Sequence, residues 1–178
     1  MALINLDPIF TLFETAKSAG LKYPKIRLRT GDRIAVVLTQ AGPKSRYEGT
    51  ISVTTGEPFG TPGSWHGRIN LDGTTTVTRP SVLALLQDLA MNPAEIAAHY
   101  GRVSGNCCFC GRDLSTSKAG SSEVGYGPIC ADKYGLTWKP NGDQAEIQFD
   151  SWGSNVPNDI DPDHIHGTGY TDGYDSPF

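Results

Sequence analysis

The feature that most constrains this chain is a cluster of cysteines. Cys107, Cys108, Cys110 and Cys130 fall within 24 of its 178 residues. This spacing suits one metal ion in a reducing cytosol better than disulfides spread through a secreted fold, although one local disulfide with two spare thiols is the alternative. Cys107 and Cys110 form a C-x-x-C pair that can grip one zinc ion, and Gly111 follows where the turn needs a positive φ.

Cys130 is the third expected zinc ligand, because it lies near the start of a predicted short helix, where a thiolate is electrostatically favoured. The fourth ligand is open among Cys108, His99, Asp132 and water. No paired Glu and His surround the cluster as a metallohydrolase would require, so we expect a structural zinc and no enzyme activity. A cysteine nucleophile with His99 as its base is the catalytic alternative.

The charge of the chain is unevenly divided. Residues 1–140 contain 15 Lys and Arg against 11 acidic residues, whereas residues 141–178 contain eight acidic residues and no Lys or Arg. Such a split is typical of a folded body with an acidic tail. We therefore predict a body at residues 1–103 (the sheet body), a zinc-binding module at 104–140 (the cysteine module) and an acidic, mostly disordered tail at 141–178.

The sheet body shows the pattern of short strands followed by helices. Apolar residues at helical spacing predict a first helix from Pro8 that ends at Gly20. Turn residues separate five predicted strands, at Ile26 to Arg29, Arg33 to Thr39, Gly49 to Thr54, Trp65 to Asn70 and Thr74 to Thr78. Two more helices are predicted at Val82 to Leu89 and Pro93 to Gly101, and a last strand at Glu146 to Phe149. The expected fold class is α+β, with a small antiparallel sheet that could close into a barrel and two or three helices.

The cysteine cluster resembles a known family. The pattern C-x-F-C-G-R-x-L from Cys107 to Leu114, followed by G-Y-G-P-x-C-A from Gly125 to Ala131, is similar to a small zinc-binding domain of unknown function common in phage and actinobacterial proteins. Leu21 to Leu28 and Trp65 to Arg68 also resemble what precedes that domain in phage proteins. The resemblance implies zinc binding and a phage-like source, and no particular activity.

Basic residues concentrate between residues 15 and 47, where eight Lys and Arg accompany one acid, Asp32. Arg27 and Arg29 alternate on a predicted strand, so both should project from one face of the sheet. A basic sheet face with nearby aromatic rings suits single-stranded nucleic acid. The candidate nucleic-acid contacts are Lys25, Arg27, Arg29, Arg33, Lys44, Arg46, Tyr47 and Trp65. The alternative is a merely solvated charged face, with Trp65 in the core.

The end of the chain resembles the tails of bacterial single-stranded DNA-binding proteins, which close on acidic residues followed by Pro-Phe. Here Asp172 and Asp175 precede Pro177 and Phe178. The resemblance implies that these four residues recruit replication or repair proteins. A terminal Phe can fill a small apolar pocket while its carboxylate meets a cation at the rim. The alternative is a tail that only improves solubility.

These patterns together predict an accessory protein of phage DNA replication or recombination that binds single-stranded DNA or RNA. We expect a structural Zn²⁺ ion to stabilise its fold. The alternative is a zinc-stabilised protein-interaction adaptor or host-factor inhibitor that binds no nucleic acid. The sequence has no apolar run of the roughly 18 residues that a membrane span needs. We therefore expect no membrane partner and a cytoplasmic location, which would be the host cytoplasm if a phage encodes the protein. The sequence does not determine the oligomeric state.

Overall fold

The computed structural model describes residues 5–140, which belong to one compact unit, Met1–Ala145. The helices are α1 (Asp7–Ser18), α2 (Pro80–Met91), α3 (Pro93–Ser104), α4 (Ser121–Val124) and α5 (Pro128–Tyr134). The strands are β1 (Lys25–Arg29), β2 (Ala35–Gln40), β3 (Ile51–Thr54) and β4 (Trp65–Ile69). The predicted strand at Glu146 to Phe149 and the candidate partner-binding residues Asp172, Asp175, Pro177 and Phe178 lie outside the described residues.

The predicted α+β fold is confirmed, with an open sheet rather than a barrel. The four strands form an antiparallel sheet in the order β1-β2-β3-β4, so β1 and β4 are its edges within residues 5–140. Burial alternates along β1, where Ile26 and Leu28 are buried and Lys25 and Arg29 are exposed. The sheet therefore has an apolar face toward the core and a polar outer face.

The predicted fifth strand at Thr74 to Thr78 is wrong. Its one ladder pair is an isolated bridge from Ile69 to Thr75. Two backbone hydrogen bonds join this segment to the end of β4, from the Asn70 N–H to the Thr74 carbonyl at 2.8 Å and from the Thr76 N–H to the Arg68 carbonyl at 2.9 Å. Threonine hydroxyls take the next two donors, because the Arg68 N–H donates to Thr76 Oγ1 at 2.9 Å and the Val77 N–H donates to Thr75 Oγ1 at 3.2 Å. Such local side-chain bonds compete with a regular ladder.

The helices begin where the sequence places proline. Pro occupies the first or second position of α1, α2, α3 and α5, where its missing N–H costs no hydrogen bond. Helix α1 contacts α2 and α5, and α3 contacts α2, α4 and β1. Phe13 of α1 and Leu86 of α2 join the buried side chains of the sheet in one core. No helix in this part of the chain has the length and apolarity to cross a bilayer.

The cysteine module covers the edge of β1. The Arg27 N–H donates to the Cys108 carbonyl at 2.7 Å. The Tyr134 hydroxyl accepts from the Lys25 N–H at 3.1 Å and donates to the Lys25 carbonyl at 3.0 Å. An uncovered edge strand is a template for unwanted pairing with other chains, and these contacts satisfy part of it.

Candidate metal centre and adjacent basic surface

The C-x-x-C pair lies on a tight turn that the backbone itself holds. The Gly111 N–H donates to the Cys107 carbonyl at 2.8 Å, and the Cys107 N–H donates to the Arg112 carbonyl at 2.9 Å. Gly111 has φ +73°, a conformation that side-chain-bearing residues rarely adopt. The predicted need for glycine after the second cysteine is confirmed.

Cys130 reaches this turn on α5, and the chain leading to α5 is placed by a close approach of two backbones. Gly125, with φ +89°, lies so near Ala98 of α3 that a methyl group on it would overlap the Ala98 backbone. Gly101 of α3 has the same relation to the Gly125 carbonyl. Both glycines are therefore required for α3 and α4 to pack at this distance.

The sulfur atoms of Cys107, Cys110 and Cys130 lie within 4.8 Å of one another. Three thiolates bound to one zinc ion at about 2.3 Å in a tetrahedron would be roughly 3.8 Å apart, so the cluster fits a metal after small side-chain adjustments. Cys107 is buried, Cys130 is half-buried and Cys110 is exposed. These three thiols could bind a metal ion, and one side of the centre faces solvent.

The thiols of the cluster are electrostatically unequal. A hydrogen bond from the Cys130 thiol, helped by backbone hydrogen bonds with Cys110, Phe109 and Gly127 against the opposing effect of burial, lowers the pKa of Cys107 to about 5. The same thiol–thiol hydrogen bond, with burial, raises the pKa of Cys130. Without metal, this hydrogen bond favours the thiolate at Cys107 and the protonated thiol at Cys130.

Cys108 is not a member of this group of three. It is fully buried, and burial raises its pKa well above the usual thiol value. Among residues 5–140, neither His99 nor Asp132 joins the group either. Cys108 as the fourth ligand stays a prediction, and it would require the side chain to turn out of the core.

Aromatic side chains brace the turn from the core side. The Phe109 ring stacks on Tyr134 with centroids 4.0 Å apart and meets the edge of Tyr126 at 6.0 Å. The Tyr126 hydroxyl donates to the Thr137 carbonyl, and the Trp138 indole N–H donates to the Tyr126 carbonyl, both at 2.9 Å. These contacts tie the two halves of the metal centre to the same core.

Three predicted nucleic-acid contacts line one cavity on the outer face of the sheet. Lys25, Arg27 and Arg29 border about 430 Å³ there, together with Val37 and other residues of β2 and β3. The prediction that Arg27 and Arg29 share a face is confirmed. Arg27 has a second role that the sequence did not indicate, because its Nη1 donates to the Phe109 carbonyl at 2.9 Å and so links the sheet to the cysteine turn.

The other predicted basic contacts are more dispersed. Arg33 has φ +65° in the β1–β2 turn and lines a separate cavity with Arg29 and His99. Lys44 and Arg46 are exposed in the connection between β2 and β3. The structure therefore gathers Lys25, Arg27 and Arg29 on the sheet. Arg46 lies in the loop beside Tyr47, with its guanidinium carbon 5.8 Å from the ring centroid.

Sequence reasoning missed Arg68, which lies on the outer face at the β4 edge of the sheet. Its guanidinium carbon lies 3.6 Å from the Tyr47 ring centroid and 5.4 Å from that of Trp65. Trp65 is 51% exposed and Tyr47 is 46% exposed, so the alternative of a core Trp65 is wrong. Arg68 lies between Gly67 and Ile69, two buried residues of β4. Because side chains alternate along a strand, this position indicates that Arg68 points to the outer face.

A second set of missed cations lies beside the metal centre. Arg112, Lys118 and Lys133 line a cavity of about 750 Å³ with Lys25 and Arg27. The same cavity is bordered by Cys110 and Cys130. Their sequence signal is weak, since they are scattered over 22 residues with no regular spacing.

Residues 97–135 match a protein family of unknown function, DUF6011. The matched segment contains all four cysteines and spans 39 of the 178 residues. No curated protein and no solved structure matches the chain. The similarity is thus to the metal centre and helix α3, and it carries no activity with it.

Proposed function

We propose that this protein binds single-stranded DNA on the outer face of its sheet, as an accessory protein of replication or recombination. The observation that carries the proposal is the stack of Arg68 between the exposed rings of Tyr47 and Trp65. Single strands are typically bound by cations that meet phosphates and by aromatic rings on which bases stack.

The strand register supports a binding surface that runs across the sheet. Lys25 pairs with Thr39, Thr39 with Ser52, and Ser52 with Arg68, so the four form one row from edge to edge. Residues directly opposite in an antiparallel sheet point to the same face, and three strand spacings separate the cations at its ends by roughly 14 Å. A strand lying along this row would meet Lys25 at one end and the aromatic stack at the other.

The metal in this proposal is Zn²⁺, held by Cys107, Cys110 and Cys130. Thiolate sulfur favours zinc among the common divalent ions of the cytosol. When bound, the ion would stabilise the turn that covers the edge of β1, and its role would be structural. The chain's own residues then supply the binding face: Arg27 both borders that face and donates to Phe109 of the turn.

The acidic tail adds a partner-binding element that rests on the sequence alone. Asp172, Asp175, Pro177 and Phe178 would engage a replication or repair protein. The adaptor hypothesis also includes this partner-binding tail, but in it the basic face of the sheet binds no nucleic acid. Oligonucleotide binding therefore separates the two functions.

The test is fluorescence anisotropy of a labelled single-stranded DNA across a salt series, with the zinc-loaded full chain and with a chain ending at Ala145. Removing the tail changes the net charge from −4 to +3, because seven acidic residues are lost, so the shorter chain should bind more tightly. Log affinity should fall by roughly 0.7 per phosphate contact for each tenfold rise in salt. RNA and duplex DNA of the same sequence serve as competitors.

Matched variants locate the surface. Trp65→Ala should weaken binding roughly 5- to 150-fold, the value of one lost base stack of about 1 to 3 kcal/mol. Arg68→Gln should also weaken it, whereas Lys17→Gln, which removes the same charge from the last turn of α1, should change it less than twofold. Absence of binding by both chains at low salt would overturn the proposal and favour the adaptor.

A further inference from the structure

A cavity lined by five cations lies next to the candidate metal centre. Its charged lining consists of Lys25, Arg27, Arg112, Lys118 and Lys133, and no carboxylate of residues 5–140 lines it. Its volume, about 750 Å³, can accommodate a nucleotide-sized group. Cations concentrated in a concave surface reinforce one another's field and attract an anion.

The contacts of these cations fix their positions without neutralising them. Arg27 donates to a carbonyl, that of Phe109, and Lys118 lies 5.1 Å from the centre of the Trp138 ring. A carbonyl and an aromatic ring orient a cation but carry no net charge to balance it. Cys110 and Cys130 also border the cavity, and three zinc-bound thiolates with their ion would carry one net negative charge. The five cations outweigh that charge, so the lining stays net positive and can attract an anion.

The cavity adjoins the proposed strand-binding face. Lys25 and Arg27 line both this cavity and the cavity on the outer face of the sheet. Tyr23, which is 75% exposed, and Ile129, which is 68% exposed, also border the cavity beside the metal centre. A strand on the sheet could place its last nucleotide here, with the base against Tyr23.

We propose that this cavity binds the terminal phosphate of the DNA strand, an inference that rests on the proposed function. A terminal phosphate carries about two negative charges near pH 7, whereas a phosphate within the strand carries one. Arg112 and Lys133 donate charge-assisted hydrogen bonds to it, and Ser117 offers a hydroxyl from the cavity wall. The protein therefore recognises phosphorylated strand ends.

The experiment compares three oligonucleotides of one sequence, with no terminal phosphate, a 5′-phosphate or a 3′-phosphate, by competition anisotropy against the zinc-loaded full chain. One phosphorylated end should bind about tenfold more tightly, as one additional charge-assisted contact would give. Lys133→Gln and Arg112→Gln should remove this preference and change binding of the unphosphorylated strand less than threefold. Arg68→Gln should weaken all three strands by the same factor and keep the preference.

Calorimetry with thymidine 5′-phosphate and thymidine gives a readout that does not depend on the sheet. The phosphorylated nucleoside should bind, thymidine should not, and Lys133→Gln should abolish the difference while the melting temperature is unchanged. If strands bind but neither end phosphate matters, this inference is overturned and the proposed function stands. If thymidine 5′-phosphate binds through Lys133 but no strand binds, the cavity is a mononucleotide site, and both the strand-end assignment and the proposed function are overturned.

Discussion

The sheet body and the cysteine module are stabilised in different ways. The twelve largest fully buried side chains among the described residues all belong to the sheet body, and Phe13, Ile26 and Leu86 are examples. The cysteine module relies on stacked rings, close glycine contacts and three clustered thiols. The module's buried rings, such as Phe109 and Tyr134, join the same apolar core, so a segment with few large aliphatic residues can hold a defined shape through aromatic packing and close backbone fit.

Loss of a large core side chain should have the largest effect on stability. Phe13 is fully buried in α1, and Phe13→Ala should lower the free energy of unfolding by about 3 to 5 kcal/mol through lost apolar burial and a cavity. Urea denaturation of the zinc-loaded chain measures the change. Phe59→Ala is the matched control, since Phe59 is fully exposed and should cost less than about 0.5 kcal/mol. Equal costs for the two variants would contradict the apolar account of the sheet body.

Alanine substitutions at three glycines of the cysteine module distinguish the cost of a steric clash from the cost of backbone strain. Gly125→Ala meets both a positive φ and the Ala98 backbone and should cost roughly 2 to 5 kcal/mol. Gly105→Ala meets a positive φ in open space and should cost about 1 to 2 kcal/mol. Gly127→Ala meets neither and should be neutral or slightly stabilising. Equal costs at Gly125 and Gly105, measured by urea denaturation, would show that α3 and α4 do not need their close approach.

The hydrogen-bonded contact between Tyr134 and β1 should contribute less to stability than the close packing of Gly125 on Ala98, which also joins the two regions. Tyr134→Phe removes two hydrogen bonds to the Lys25 backbone and should cost about 1 to 2 kcal/mol, with faster amide exchange along β1. Tyr126→Phe is the matched control, because it removes a hydrogen bond within the module, to Thr137. Hydrogen-exchange mass spectrometry checks both variants. Unchanged exchange in β1 for Tyr134→Phe would mean that the module does not protect that edge.

The parts that the sequence predicts are those set by neighbours along the chain. The alternation of Ile26 and Leu28 with charged residues identified β1, and the C-x-x-C spacing with Cys130 identified the three clustered thiols. The parts it missed depend on distant segments meeting. The bond from Arg27 to Phe109 joins residues 82 positions apart, and no local pattern contains it.

The sequence could not determine whether Trp65 is exposed or buried, because this also depends on how distant segments meet. Its position depends on the irregular register between Val53 and Thr54, which shifts β4 against β3. A bulge adds a residue to one strand and re-aims the side chains beside it, so simple alternation no longer tells which face they occupy. The predicted fifth strand failed because the hydroxyls of Thr75 and Thr76 form bonds that a strand would give to the backbone.

The smallest expected effect concerns the charge of the metal-free cysteine module. Folding lowers the pKa of Cys107 to about 5 from about 9, so its thiolate contributes stability above the unfolded pKa, and this contribution is lost as pH falls through about 5. At pH 7 zinc should therefore take no proton from Cys107 and one from Cys130, whose pKa is raised. In a Cys108→Ser chain, where Cys107, Cys110 and Cys130 are the remaining thiol ligands, total release should be at most two protons per zinc ion.

Calorimetric titration of zinc in two buffers of different ionisation enthalpy measures that release. Below about pH 5 the release should rise by one proton, and affinity should then fall by an additional factor of about ten per pH unit. Cys107→Ser should remove this acidic step, whereas Cys108→Ser should keep it if Cys108 is not a ligand. Release of three protons at pH 7 by the Cys108→Ser chain would mean that the thiols titrate independently, and the unequal pair of Cys107 and Cys130 would not exist in solution.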